Sequence, residues 1–381
     1  MRTEYELGEL LEYEQPTKYA VESTKYDDKY STPVLTAGKS FILGYTNETD
    51  GIYDNLPVII FDDFTTATQY VNFKFKVKSS AMKILKANEE LALTKYLYYL
   101  MQTIHCDHDT HKRYWIQTYS KIRVAIPDIT EQQRVVDKIE ELFSKLDKGV
   151  EELNKIKEQL KIYRQAVLKE AYNLSNDKLK LENLCFFITK GTTPSKGLVE
   201  NNTGVKEVPF LKVYNLTFDG QLDFSIDPTF VTKETHTGFL NRSICLPGDV
   251  LMNIVGPPIG KVSVVPNTYP EWNINQAIVR YRCLEKLNNK FLAYFLLFSN
   301  TVEQLKSKGK TTAGQFNLTL ETCRELQIPL PTIEKQVEIV DCIEQKLSVC
   351  DKIEQTVNES LQKAESLRQS ILKQAFKGKL V

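Results

Sequence analysis

The sequence contains no long apolar run, no paired cysteine motif and no excess of charge of either sign. No stretch approaches the ~20 apolar residues that a membrane-spanning helix needs, and the start MRTEYELGELLEYEQ is too acidic for a signal peptide. The seven cysteines show no C-x-x-C spacing, which indicates reduced thiols in a cytoplasmic protein rather than a disulfide framework. Lys+Arg and Asp+Glu both number 49, so the chain is not a simple polycation.

The motifs of common catalytic sites are also missing. SKGKTT (307–312) and GPPIGKV (256–262) lack the spacing of a phosphate-binding loop, and no G-x-S-x-G or paired-carboxylate pattern occurs. HCDHDTH (105–111) gathers three histidines, but no distant Cys/His pair completes a ligand set. A polar loop and a metal site both fit that segment; we expect the loop, and hence no metal. The sequence therefore predicts a protein without catalytic residues or a cofactor of its own.

The main positive feature is a long internal repeat. Residues 127–172 align without a gap on residues 331–376, and sixteen of these 46 positions are identical. PDITEQQRVVDKIEE begins the first copy and PTIEKQVEIVDCIEQ the second. A separation of 204 residues is far too long for a solenoid repeat, so two long units are duplicated.

Each copy has the apolar period of a long helix. A heptad seam predicts two helices of some 40 residues, each roughly 60 Å long and packed as an antiparallel pair. Thr130 and Gln133 suggest a capping box at the first start, and Gly378 a cap at the second end. Gly149 predicts a kink or a close backbone crossing. The expected seam and subunit-docking residues are Val135, Ile139, Leu142, Leu146, Gly149, Leu153, Leu160, Val167, Ile339, Ile343, Ile353, Val357, Leu367 and Ile371.

The repeats separate two α+β segments. In the first, 57–61 and 70–77 are predicted strands and 92–104 a buried helix; in the second, 208–213, 249–255, 261–265 and 277–283 are predicted strands and 289–299 a helix. The expected domains are 1–126 and 178–330, with helical spacers at 127–177 and 331–381. The order domain, helix, domain, helix implies internal pseudo-twofold symmetry.

Local basic stretches suit contact with nucleic acid, although a merely solvated face explains some of them equally well. In NFKFKVKSSAMKILK (72–86) strict alternation places three lysines on one strand face, and LKSKGKTTAGQFN (305–317) joins lysines to amides and hydroxyls that could read base edges. TKGTTPSK and HKRYW are weaker stretches of the same kind. The candidate DNA-binding residues are Lys74, Lys76, Lys78, Ser79, Lys112, Arg113, Tyr114, Lys190, Thr192, Thr193, Lys196, Lys261, Lys306, Lys308, Lys310, Thr311, Thr312, Gln315 and Asn317.

The whole chain resembles the specificity subunits of type I restriction–modification systems. The resemblance rests on the two P-x-I-x-x-Q helix starts, the two RQ-x-(V/I)-L-K-x-A-(Y/F) helix ends, FKVKSSAMKIL (75–85), GDVLMNIVGPPIGKV (248–262) and TTAGQFNL (311–318). It implies two target-recognition domains held apart by antiparallel helices, each reading one half of a split DNA target.

The resemblance also implies partners. Two modification subunits would bind S-adenosylmethionine and methylate adenines, and restriction subunits would use ATP and Mg²⁺, leaving this chain without a cofactor. A coiled-coil adaptor without a DNA role and a stand-alone DNA-modifying enzyme are the alternatives, although the Asn/Asp-Pro-Pro-aromatic motif that such an enzyme needs is absent.

Overall fold

The chain forms two compact units that each combine a mixed α/β region with parts of both long helices. The computed structural model describes residues 2–36, 40–104, 113–173, 178–195, 198–199, 207–256, 258–312 and 315–380. The first unit comprises residues 1–154 and 358–381, and the second residues 155–357. This partition does not test the domain boundaries expected from the sequence, since each long helix contributes to both units.

The first unit begins with short antiparallel sheets and small helices. Its strands are β1 (Thr3–Glu6), β2 (Leu11–Glu14), β3 (Thr32–Leu35), β4 (Ile42–Thr46), β5 (Val58–Asp62), β6 (Thr68–Val71), β7 (Lys76–Val77), β8 (Met82–Ala87) and β9 (Arg123–Ile126). Its helices are α1 (Leu7–Leu10), α2 (Thr94–Met101), α3 (Tyr114–Gln117) and the first part of α4 (Ile129–Tyr172), together with the last part of the second long helix. The predicted strand at 57–61 and helix at 92–104 are confirmed.

The second unit repeats this plan at greater length. Its strands are β10 (Lys178–Lys180), β11 (Cys185–Lys190), β12 (Leu198–Val199), β13 (Val208–Leu211), β14 (Thr229–Val231), β15 (Ile244–Cys245), β16 (Val250–Asn253), β17 (Val262–Val264), β18 (Trp272–Ile274), β19 (Ile278–Cys283), β20 (Lys310–Thr312), β21 (Gln315–Asn317) and β22 (Gln327–Pro329). Its helices are α5 (Lys233–Thr237), α6 (Asn289–Leu297), α7 (Ser299–Lys308), α8 (Leu320–Glu325) and the first part of α9 (Ile333–Phe376), together with the last part of α4. The four predicted strands and the predicted helix are all present.

The two units contain equivalent four-stranded antiparallel sheets. The strand order is β2-β8-β5-β6 in the first unit and β11-β19-β16-β17 in the second. One face of each sheet shares a hydrophobic core with the long helices, and the other face packs on a separate smaller core. A duplicated sequence has thus produced a duplicated arrangement of sheet and helix.

The P-x-I-x-x-Q motif forms a buried joint between each long helix and its sheet region. Gln132 is fully buried, and its Nε2 donates to the carbonyls of Leu91 (3.0 Å) and Pro127 (2.9 Å) while its Oε1 accepts from the Leu93 amide at 2.9 Å. An inward glutamine with all three bonds satisfied fixes the direction in which the helix leaves the sheet.

The second unit has the same joint. Gln336 is likewise fully buried, donates to the carbonyls of Lys286 (3.0 Å) and Pro331 (2.9 Å), and accepts from the Asn288 amide at 2.8 Å. A glutamate two turns further along the helix adds an ion pair to a lysine of the short buried helix in both units. The distances are 2.5 Å for Glu140–Lys95 and 2.7 Å for Glu344–Lys290.

Within each unit, part of α4 packs against part of α9. In the second unit Arg164 pairs with Asp351 at 2.7 Å and Glu170 with Lys346 at 2.8 Å, so the two segments run antiparallel. In the first unit Arg368, the repeat counterpart of Arg164, pairs with Asp147. The same register relation therefore recurs in both units.

The apolar seam follows only part of the predicted heptad. Eight expected seam residues are buried, namely Val135, Ile139, Leu160, Val167, Ile339, Ile343, Val357 and Ile371; Leu142, Leu146, Gly149 and Leu153 are half-buried. Ile353 and Leu367 are exposed and so do not belong to the seam, although their expected role in subunit docking stays a prediction. An α-helix drifts by about 20° per heptad against a 3.5-residue repeat. At both places the next residue, Glu354 or Arg368, is the half-buried one.

The expected helix caps are partly confirmed. Asp128, not Thr130, caps α4, since its Oδ1 accepts from the Glu131 amide at 2.9 Å. Thr332 holds the same repeat position at α9 and accepts from the Lys335 amide at 3.4 Å. Gly378 follows α9 with φ of +68°, a left-handed conformation typical of a C-terminal cap.

Gly149 does not mark a close backbone crossing, which is one of the two alternatives that the sequence predicts. Helix α4 is continuous through it, and a Cβ added there would meet nothing within 4 Å. We therefore expect Gly149→Ala to raise the free energy of unfolding by about 0.5–1 kcal/mol, because alanine loses less backbone entropy in a helix. Urea unfolding of the two proteins measures this, and a destabilised variant would show that the glycine has a packing role.

None of the helices in the described ranges combines the length and apolar character of a membrane span.

Candidate nucleic-acid interface

The first candidate surface lies between β6 and β8 of the first unit. Lys74, Lys78 and Ser79 are exposed there, and Lys74 lies 3.8 Å from the equally exposed Asp54. The ammonium groups of Lys74 and Lys78 are open to solvent and so to a phosphate backbone.

Lys76 does not belong to that surface. The segment 70–77 is not one strand but two, β6 and β7, so strict alternation fails across residues 72–75. Lys76 is 4% exposed, its Nζ lies 2.8 Å from a Glu48 carboxylate oxygen, and it donates to the Asp50 carbonyl at 2.6 Å. A buried lysine whose charge is already paired is not available to a DNA phosphate.

The HKRYW stretch also divides. Arg113 is exposed, but Tyr114 is buried in the core of the first unit, and its amide donates to the Asp63 carbonyl at 3.1 Å. Tyr114 is therefore a packing residue, contrary to the prediction. Lys112 and the whole of His105–His111 lie outside the described residues. Within the described ranges, no group of three His, Cys, Asp or Glu side chains could hold a metal ion.

In the second unit, two candidates line one cavity. Lys190 is the last residue of β11, Thr192 lies two residues further on, and both border a cavity of about 600 Å³. Thr193 is exposed and donates to the Gln276 side chain. Lys196 lies outside the described residues.

The other candidates of the second unit lie on α7 and in the loops near it. Lys306 and Lys308 are exposed in the last turn of α7. Lys261 is half-buried, donating to the Val213 carbonyl at 3.4 Å with its Nζ 5.8 Å from the centre of the Phe218 ring.

A hairpin follows α7. It pairs Lys310–Thr312 with Gln315–Asn317, and Asn317 is half-buried. The side chains of Lys310, Thr311, Thr312 and Gln315 lie outside the described part of the chain. The Gly256 amide donates to the Phe316 carbonyl at 2.9 Å, so the hairpin is fastened to the GPPIG loop.

Three arginines and an aromatic ring also line the cavity that Lys190 and Thr192 border, and none of them is among the candidates predicted from the sequence. Arg280 and Arg282 alternate on β19, Arg242 precedes β15, and Phe187 lies on β11 with about half its surface exposed. The signal was the alternation in IVRYRC, which places two guanidinium groups on one strand face. The sequence predicts the strand, and the strand's alternation is what brings the two charges together.

The comparisons with known proteins agree with one another. Residues 175–363 match the family model for the type I restriction modification DNA specificity domain. The specificity subunit of the type I restriction enzyme EcoR124I/EcoR124II from Escherichia coli is 33% identical over 381 residues, covering 95% of this chain and 90% of that protein. The EcoBI specificity subunit of Escherichia coli is 26% identical over 287 residues, covering 69% of this chain and 60% of that protein.

Solved structures show the same fold. A chain from a structure that describes complex assembly and conformational transition of the type I R-M system has a TM-score of 0.70 at 17% identity. The match covers 98% of this chain and 100% of that chain. The HsdS subunit from Thermoanaerobacter tengcongensis gives a TM-score of 0.52 at 18% identity, covering 99% of this chain and 97% of that chain. With its duplicated sheets, joints and helices, this chain belongs to the family of type I restriction enzyme specificity subunits.

Proposed function

We propose that this chain reads a DNA target in two parts, one with each of its units. The observation that carries the proposal is the duplication itself: the same sheet order and the same glutamine joint occur in both units. A protein with two equivalent reading units suits two half-sites about one helical turn apart, roughly 34–36 Å. We further propose that the two recognition domains are separated by α4 and α9 as an antiparallel pair.

The two half-sites should differ in sequence. The candidate surface residues of the two units lie on different elements: Lys74 and Lys78 lie between β6 and β8, whereas Lys306 and Lys308 lie in the last turn of α7. Lysines set the position on the backbone, and polar side chains on loops read the base edges.

A specificity subunit is the non-catalytic component, so we propose that modification subunits dock on it. The parts of α4 and α9 in the second unit expose a group of apolar side chains, with Ile162 71%, Val349 57%, Tyr163 49% and Ile353 41% exposed. Apolar side chains left uncovered along a helix pair mark an interaction surface. The modification subunits would supply S-adenosylmethionine, and restriction subunits ATP and Mg²⁺, to the complex in the cytoplasm.

Charge reversal at the first basic surface should weaken DNA binding without changing its sequence preference. We expect Lys74→Glu with Lys78→Glu to reduce the slope of log K against log[salt] by about 2, because each phosphate contact contributes about 0.9. The measurement is a fluorescence-anisotropy titration of the chain with its modification subunits, on cognate and unrelated duplexes, at several salt concentrations.

The matched control for this change is Lys121→Glu with Lys373→Glu, two exposed lysines of the same unit outside the candidate surface. It alters net charge equally and should leave the slope close to that of the unaltered chain. Loss of binding to the cognate duplex alone would show that these lysines read bases. A salt-independent affinity of the unaltered complex would contradict the proposed function.

A further inference from the structure

The cavity at the end of β11 is lined by an unusual number of cations. Lys190, Arg242, Arg280 and Arg282 border it, and Glu271 is the one carboxylate among the residues that line it. Glu271 is engaged by the Nε2 of the buried His236 ring at 3.0 Å. The cavity therefore carries net positive charge.

Arg280 is buried without a carboxylate partner among the described residues. It is 5% exposed, and its guanidinium donates to the Ile244 carbonyl, to Thr189 Oγ1 at 3.0 Å and to the Arg242 carbonyl at 3.5 Å, all of them neutral acceptors. Its Nε has no hydrogen-bond partner within the described residues. Burial lowers the pKa of Arg280, because removal from water disfavours the charged form of the guanidinium group.

The neighbouring Arg282, in contrast to Arg280, has a carboxylate partner. Its Nε and Nη2 donate to the two carboxylate oxygens of Asp249 at 2.8 and 2.7 Å, and Asp249 is itself buried. The side-chain hydrogen bond with Asp249 raises the pKa of Arg282. A carboxylate thus compensates one of these two guanidinium groups and leaves the other uncompensated.

The first unit provides an internal reference for Arg280. Leu85 on β8 and Tyr281 on β19 occupy equivalent places, since both pair with the third strand of their sheet and face the core shared with the long helices. The preceding residue on the opposite face is Ile84 in the first unit and Arg280 in the second. Ile84 is fully buried, so an apolar side chain satisfies the fold at this place.

The mouth of the cavity offers contacts to a ligand. Lys190 and Arg242 are exposed, and Arg280 and Arg282 lie 5.5 and 5.7 Å from the centre of the Phe187 ring. Phe187 is 49% exposed, so part of the ring remains open to solvent. A cationic cavity beside an exposed aromatic ring matches the chemistry of a nucleotide, whose phosphate is anionic and whose base can stack.

We propose that this cavity binds a phosphate group, contributed by the backbone of the DNA half-site that the second unit reads. The inference rests on the proposed function. Arg280 supplies the uncompensated positive charge, Lys190 and Arg242 contact the phosphate oxygens, and the anion neutralises the cluster when it binds. The first unit, with Ile84 at the equivalent position, has no such site there.

The test uses the complex with modification subunits and the variant Lys190→Gln with Arg242→Gln. We expect the salt slope to fall by about 1–2 and the affinity near 0.1 M salt to fall roughly tenfold or more, equally on cognate and unrelated duplexes. Lys233→Gln, an exposed lysine of the same unit outside the cavity lining, is the charge control. An unchanged slope in the double variant, with DNA binding intact, would overturn the proposal and leave the proposed function standing.

A second variant separates ligand binding from folding. Arg280→Ile copies the residue of the first unit, so we expect the thermal midpoint of the free chain to stay within a few degrees while the salt slope on DNA falls by about 1. A fall of the midpoint by ten degrees or more, with an unchanged slope, would show that Arg280 is structural and would contradict the proposal.

Inorganic phosphate distinguishes the two sources of the ligand. Isothermal titration calorimetry of the free chain with millimolar phosphate should show weak binding, and the variant Lys190→Gln with Arg242→Gln should abolish it. Phosphate should also compete with DNA for the complex. If phosphate binds tightly while the double variant keeps the unaltered salt dependence of DNA binding, the cavity binds a free phosphate compound. That result would overturn the proposal that the DNA backbone supplies the phosphate. No DNA binding by the unaltered complex would instead refute the proposed function.

Discussion

Replacing Asp63 by alanine should destabilise the first unit by about 3–5 kcal/mol, because it leaves a buried ammonium group without its counter-ion. Asp63 is 3% exposed and Lys83 4%, and the Lys83 Nζ lies 3.6 Å from Asp63 Oδ2. Asp63 Oδ1 also accepts from the Trp115 amide at 2.8 Å, so the same carboxylate fixes the start of α3.

The effect is measured by urea unfolding followed through Trp115 fluorescence in a Trp272→Phe background, since these are the two tryptophans of the chain. Asp54→Ala is the matched control, because its pair with Lys74 is exposed and worth under about 1 kcal/mol. The double change Asp63→Leu with Lys83→Met should recover part of the stability, because it removes the buried ammonium group but still leaves the Trp115 amide without its acceptor. A small loss on Asp63→Ala alone would mean that the ammonium reaches solvent.

Replacing either joint glutamine by leucine should cost its own unit about 2–4 kcal/mol. Gln132→Leu leaves the Leu93 amide and the carbonyls of Leu91 and Pro127 without their bonds in a buried place, and each such group carries a penalty of about 1–3 kcal/mol. Gln336→Leu removes the equivalent three bonds in the second unit.

The two tryptophans report these losses separately, Trp115 for the first unit and Trp272 for the second. Gln133→Leu is the control, because Gln133 is exposed and its side chain donates to Asp137 of its own helix at 2.7 Å. The duplicated joint predicts similar losses for Gln132→Leu and Gln336→Leu. A large loss for one and none for the other would contradict the equivalence of the two joints.

The repeat and the helices could be predicted from the sequence because their signals are local. Identical residues at a fixed separation and a sustained apolar period need no knowledge of what lies across the fold. The role of Gln132 could not be predicted, since its partners at Leu91 and Leu93 are about 40 residues distant. The motif and its local bond to the Pro127 carbonyl lie within one segment, but the two bonds to Leu91 and Leu93 form only once the helix packs against the segment before α2.

The candidate interface was predicted less well, for two physical reasons. Alternation predicts a shared face only within an unbroken strand, and the chain turns between β6 and β7, which buries Lys76 beside Glu48. Arg280 illustrates the second reason: the sequence predicts a strand at 277–283, but it does not show that this guanidinium group is buried beside a cavity. Burial of a charge depends on its neighbours from distant elements, and composition does not reveal them.

The central claim, that each unit reads its own part of a split DNA target, is tested most directly by mapping N6-methyladenine. Long-read sequencing would be applied to DNA from cells that express the chain with its modification subunits. It would be repeated after residues 1–126 are exchanged for the corresponding segment of another specificity subunit. The account predicts a two-part methylated sequence of which only one part changes. A single undivided motif, or a change in both parts on exchange of one segment, would contradict it.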